Sequence, residues 1–309
     1  MSTATLPDNL PSETRATWAR LRAGPLGGLL RAISSNRKAT AGLVILVVFC
    51  FLAAFPGLIA HDNPQAEIYS PTLGPSGAHL LGTTAYGQDL FAQLIYSTRE
   101  SLLIALAAGA LATVLSVIMG VTAAYVGGLV DDVLSLVTDI FLVIPAFPLI
   151  VVIAAYSKNG GDPILIAVLV ITGWSYGARQ LRVQALSIRN RDFLVAARLR
   201  GERRWRVIMS EILPTMTSLI VAIFLGTTLY AIVAAAGLQF VGLGNPDTLS
   251  WGTMLYWAQN NEALQAGSPL WAITPGCCIA MLGAAFALLN YAFDEVSNPA
   301  LRPVRRKRR

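Results

Sequence analysis

Charge is scarce in this sequence, and histidine and cysteine are nearly absent. Only 13% of its 309 residues are Asp, Glu, Lys or Arg, against roughly 25% in soluble domains. So little charge cannot clothe a water-facing surface, and a soluble globular protein is excluded. His61 and His79 are the two histidines. Neither has a neighbouring cysteine with metal-ligand spacing, so both read as structural. Cys50, Cys277 and Cys278 sit inside apolar runs and read as small buried hydrophobes, not as a disulfide or a metal site. No GxxxxGK[ST] loop and no GxSxG element occurs. The chain therefore carries neither a phosphate cradle of its own nor a nucleophilic serine of that type.

What the sequence has in quantity is apolar length. It is 55% hydrophobic, with a mean hydropathy of +0.59. Six apolar segments can be marked, at residues 40–60, 102–126, 133–156, 163–177, 211–238 and 271–293. The first runs 21 residues without a charge, about 31 Å at 1.5 Å per residue, which matches a hydrocarbon core of roughly 30 Å. It is too long, and too far from the N-terminus, for a cleaved signal peptide. The fourth segment is short and is expected to extend into Arg179–Leu181, with arginines reaching toward headgroups.

The basic residues are distributed unevenly between these segments. The N-terminal stretch has six, from Arg15 to Lys38; residues 127–132 have none; Arg179 to Arg206 holds nine, all arginine; the C-terminal stretch has six, from Arg302 to Arg309. The alternate segments carry one (Arg99), one (Lys158) and none. With six crossings, the positive-inside rule places both termini and the arginine segment in the cytoplasm. The net charge of +6 is thus juxtamembrane, and no nucleic-acid partner is implied. On the other side lie two turn-rich loops, near residues 61–91 and 239–270. Trp251, Trp257 and Trp271 are expected to anchor there at the membrane–water boundary.

Acidic residues near the apolar segments are Glu100, Asp131, Asp132, Asp139, Asp162, Glu211 and Asp294. All fall toward segment ends. An ion-coupled carrier is expected to bury acidic relays near the midplane, so that class is the alternative and not the first reading. Energy must then come from a partner, which directs attention to the arginine segment. Within it, residues 191–201 read RDFLVAARLRG, with Phe193, Ala196, Ala197 and Gly201 at helical spacing along one shallow face. Gly201 is a helix stop, and Asp192 suits the positive end of the helix dipole. Spacing alone leaves two uses open, docking onto a protein groove or lying on anionic lipid.

The same residues resemble the coupling motif of ABC importer permeases, in which Glu-Ala-Ala, three residues and Gly are followed by Leu-Pro about a dozen positions later. Ala196, Ala197, Gly201, Leu213 and Pro214 match it; Val195 stands where the family has Glu, and Asp192 and Phe193 precede it. Other stretches resemble the dipeptide, oligopeptide and nickel group of these permeases. They are His61-Asp62-Asn63-Pro64; His79 through Gly82-Thr83, Gly87, Asp89, Arg99 and Ser101-Leu102; Asp139 with Ile144-Pro145; Phe240 through Gly244; Ser250 through Leu255; and Asn298 through Arg302. Thr84 and Gln88 replace that group's Asp and Arg.

The resemblance implies an all-α polytopic membrane protein with six transmembrane helices, both termini cytoplasmic, and a cytosolic coupling helix. Its organisation would be a cytosolic tail (1–35), a first span with its outer loop (36–101), a five-span permease core (102–296) and a basic cytosolic tail (297–309). It further implies a second homologous permease, two cytosolic ATPase subunits or domains that receive the coupling helices, and an extracytoplasmic substrate-binding protein. No cofactor belongs to this chain; ATP and Mg would be bound by the ATPase subunits. The expected role is non-catalytic, in peptide import across the cell membrane.

Overall fold

The computed structural model describes residues 37–156 and 161–297. Among these, every regular element is a helix. The basic tails, Lys158 and the motif at residues 298–302 fall largely outside the described residues.

Helix α1, Arg37–Ala54, is apolar on all sides and ends just before Pro56, which opens a single 3₁₀ turn at Pro56–Leu58. The first apolar run thus stops as a helix six residues before its expected end. Helix α2, Leu90–Val126, spans 37 residues. It starts a dozen positions earlier than hydropathy suggested, because its polar first turns are covered by protein: Gln93, Ser97 and Thr98 are all buried. Gly127 and Gly128, at φ +71° and +57°, form the tight join to α3, Gly128–Val143. The third apolar segment, residues 133–156, is divided between two helices. Ile144 is extended (ψ 127°), as the residue before a proline is driven to be. Helix α4, Ala146–Tyr156, leaves α3 at 89°. Helices α5, Asp162–Gly173, and α6, Ser175–Ile188, meet at a softer bend of 42°.

After α6 come α7, Asp192–Leu199, and α8, Arg204–Val207. A π-helical turn at Ile208–Ile212 then runs into α9, Leu213–Thr215. Pro214 brings no N–H and would crowd the carbonyl four residues back; the wider π turn before it relieves that clash. Helices α10, Thr217–Phe240, α11, Trp251–Asn260, and α12, Leu270–Ser297, complete the chain. Four helices (α1, α2, α10 and most of α12) are long and apolar enough to cross a membrane, and up to six spans result if each bent pair counts as one.

Helix α2 is the central element. Small residues let α6 and α10 approach its backbone: a Cβ on Gly120 would collide with the backbone of Ala178, one on Gly109 with Thr228, and one on Gly177 with Ser116 and Ile223. Polar side chains stitch the same seams. Thr113 and Thr227 share a 3.1 Å hydroxyl contact, and Ser116 Oγ donates to the Trp174 carbonyl at 2.6 Å, at the α5–α6 bend. Close packing of small residues with interhelical hydrogen bonds replaces the hydrophobic drive that lipid cannot supply. On the far side α12 joins α10 to α1, with Gly42 seated against the Ala285 carbonyl.

At the end of α2 opposite the arginines, the two long loops fold onto each other. Ser250 caps α11, with Thr253 completing a capping box. The Trp251 backbone N–H donates to Ser101 Oγ at 2.9 Å and its indole N–H to the Leu94 carbonyl. Trp251 and Trp271 are therefore core residues, 0% and 2% exposed, and not the boundary anchors that their placement suggested. Trp257 alone of the three is half-buried at the loop surface, donating to the Pro246 carbonyl. The cysteines depart from expectation in the opposite sense: Cys50 and Cys277 lie on the outside of the chain, and Cys278 is half-buried.

Candidate functional site

The arginine segment folds into a compact platform at the end of α2. Helix α7 has only two turns, and its ends are set by local geometry. Asp192 begins the helix, where a carboxylate meets the positive end of the helix dipole. The other end is a Schellman stop: the Gly201 N–H bonds to the Arg198 carbonyl at 2.9 Å and the Glu202 N–H to the Ala197 carbonyl at 3.3 Å. Gly201 sits at φ +72° with open space where a side chain would begin. Its identity is thus required by the backbone conformation and not by crowding.

Leu194 and Ala197 face inward, both 0% exposed, in a cluster with Val121, Ala124 and Tyr125 at the end of α2, Leu181 and Ala185 of α6, and Val207, Ile212 and Met216 beyond. Arg198 lies over the Tyr125 ring at 5.1 Å and donates to the Arg189 carbonyl at 3.3 Å. Arg200 is held by Glu202 through contacts of 3.0 and 2.8 Å. Where α3 passes, Arg182 forms a two-pronged pair with Asp131 at 2.6 and 2.9 Å.

The face proposed from spacing is divided by the fold. Ala197 turns into the chain's own core beside Leu194, and the i, i+3 spacing of the pair is the signal that marks the inward face. Phe193, Val195 and Ala196 are exposed, joined by Leu199 (84% exposed) and Trp205 (67%). Leu213 is half-buried against the same cluster, and Pro214 is exposed. Asp192 and Gly201 stand exposed at the two ends of the helix. The result is an apolar ridge of Val195, Ala196 and Leu199 on the face opposite Leu194 and Ala197, with Phe193 on its flank and Trp205 exposed beyond the helix, among arginines and backed by the cluster on α2 and α6. The platform pairs no nucleophile with a base, and no cluster of three or more metal-ligating side chains occurs among the described residues.

A second feature lies deeper. A cavity of about 720 Å³ opens between the α3–α4 and α5–α6 breaks and α10. A smaller one, about 280 Å³, lies between the two long loops, lined by Glu67, Gln88, Asp247 and Trp257 among others.

Residues 112–302 match the family model of the binding-protein-dependent transport system inner membrane component. Curated relatives align over nearly the whole chain. The oligopeptide transport system permease protein OppC of Mycobacterium tuberculosis is 29% identical over 282 residues, covering 90% of this chain and 96% of the relative. The dipeptide transport system permease protein DppC of Bacillus subtilis is 30% identical over 276 residues, 88% of this chain and 85% of the relative. That of Alkalihalophilus pseudofirmus is 28% identical over 303 residues, 96% and 95%. The match runs from the second half of α2 through α6, the arginine platform and the last two long helices, and this chain belongs to the family of binding-protein-dependent transport system inner membrane components, which are non-catalytic transport subunits.

Proposed function

We propose that this chain is one of two permease subunits of an ATP-driven importer of di- or oligopeptides, with six spans and both termini in the cytoplasm. One observation carries the reading: a two-turn helix, stopped by Gly201 and rooted through Leu194 and Ala197 in the ends of α2 and α6, that presents an apolar ridge among arginines. In this reading Asp192, Phe193, Val195 and Ala196 enter a groove on a cytosolic ATPase. Ala197, Leu213 and Pro214 hold the platform behind them, and Gly201 ends the helix. Closure of two ATPase domains on ATP draws the platform inward. Because Leu194 and Ala197 pack on α2 and α6, that displacement reaches the spans lining the passage. The two long loops receive a binding protein that delivers the peptide, and a second permease of the same family supplies the other wall. Val195 replaces the family's glutamate, so contact at that position is apolar.

The names of the aligned relatives support the peptide class. The test is purification of this chain in mild detergent with its companions, followed by reconstitution. Co-purification of a second permease and an ATPase, with peptide uptake that requires ATP and the binding protein, is the expected result. Uptake by this chain alone, driven by an ion gradient, would replace the reading with an ion-coupled carrier.

A further inference from the structure

Both broken spans open onto the same cavity, at Ile144-Pro145 on one side and Gly173 to Ser175 on the other. Non-helical backbone at membrane depth survives only where protein covers it or where it borders a wet passage, and interrupted helices meeting at one cavity are a recurrent way of building a solute site. None of the side chains lining the cavity is charged. Its polar groups differ in how far they are already engaged. The Tyr230 hydroxyl donates to Thr172 at 3.0 Å, and Thr227 is bonded to Thr113 and to carbonyls of α2 and α10. Ser175, Tyr176 and Gln180 make no side-chain hydrogen bond among the described residues, and Asn290 differs from them in that its unpartnered Oδ1 is buried. Gly226 lies opposite, and a Cβ there would stand 3.9 Å from Asn290 Nδ2. The bare glycine leaves the amide room at the cavity wall.

An amide oxygen in that position calls for an N–H donor. A wall without charge offers nothing to offset a desolvated ammonium or carboxylate. Amide N–H groups of an extended peptide meet both conditions, because they donate and carry no charge. We propose that Asn290 is a contact residue for the transiting peptide, accepting hydrogen bonds from its backbone amides, so that this wall grips the peptide's backbone without regard to its side-chain charge. The inference rests on the peptide-importer reading above and adds the residue and the kind of contact.

The test uses the complete transporter in proteoliposomes, supplied with saturating binding protein and tripeptides of net charge +1, 0 and −1. Asn290→Asp places a carboxylate in the wall. The ratio of cationic to anionic peptide uptake is expected to rise at least about tenfold over wild type, while Asn290→Leu lowers uptake of all three about equally. A correctly assembled Asn290→Asp transporter with an unchanged ratio would overturn the proposal. Should that variant fail to assemble, Asn290→Cys in a Cys50→Ala, Cys277→Ala, Cys278→Ala background keeps the question open to measurement. Labelling by a membrane-impermeant maleimide is expected, and its absence in both the nucleotide-free and ATP-bound states would refute the placement. If wild type took up none of the peptides, the importer reading itself would fail, and the labelling result would still decide whether Asn290 borders an aqueous passage.

Discussion

His79 Nδ1 lies 2.8 Å from Asp89 Oδ2 in a buried pair, while Asp89 Oδ1 accepts the Ala92 N–H at 2.8 Å as the cap of α2. One carboxylate thus fastens the first long loop to the longest helix. Asp89→Ala removes the cap, at about 1 kcal/mol, and strands a buried imidazole, at about 1 kcal/mol more. Asp89→Asn retains an oxygen for Ala92 and is expected to lose less than half as much. Thermal unfolding in nanodiscs checks the order; equal stability of the alanine variant and wild type would show that the clasp contributes nothing.

Gly201 separates backbone strain from docking. Gly201→Ala places a Cβ in open space but at φ +72°, for a cost of about 1 kcal/mol. Gly201→Asn tolerates that conformation better. Gly201→Trp adds bulk beside the apolar ridge. Expected are near-normal uptake for Asn, a modest decline for Ala, and loss of ATP-coupled uptake for Trp with insertion intact. Normal transport by the tryptophan variant would show that no partner approaches this end of α7.

Gly120 tests the central seam. Its missing side chain lets the Ala178 backbone lie against α2, and Gly120→Ala forces the helices apart at a cost of about 1–3 kcal/mol. A lower yield of folded protein and a lower unfolding temperature are expected. An unaltered melting curve would mean that the seam repacks freely.

The Arg182–Asp131 pair joins α6 to the first turn of α3. Its side chains are partly shielded, 33% and 16% exposed, so a double-mutant cycle with Arg182→Gln and Asp131→Asn is expected to give a coupling energy of about 1 kcal/mol, less at high salt. Additive single effects would reduce the pair to a surface contact.

Hydropathy located most of the membrane-crossing material because lipid demands apolar length, and length is visible in a linear sequence. It misplaced the start of α2 since Gln93, Ser97 and Thr98 are polar yet buried, and burial by protein leaves no hydropathy signature. The break at Pro145 was foreshadowed by the proline, but an 89° turn depends on what receives the departing helix. The end of the two-turn helix was legible through Gly201. The orientation of that helix was not, because Phe193, Ala196 and Ala197 share a spacing that fits either face, and only the cluster around Leu194 decides which side turns inward. Trp251 and Trp271 misled for a related reason: an indole suits a membrane boundary and a protein core equally well, and the chain supplies the core.

Helix α2 runs unbroken for 37 residues, about 55 Å at 1.5 Å per residue, while two of its neighbouring spans are interrupted. One end is clasped by Asp89 and by the Trp251–Ser101 contact; the other carries Tyr125 beneath Arg198. It is one continuous helix joining the two ends of the molecule, without a break like those of its neighbours. A load on one end would pass along an unbroken helix, whereas the breaks in the neighbouring helices lie beside it, at Pro145 and Trp174.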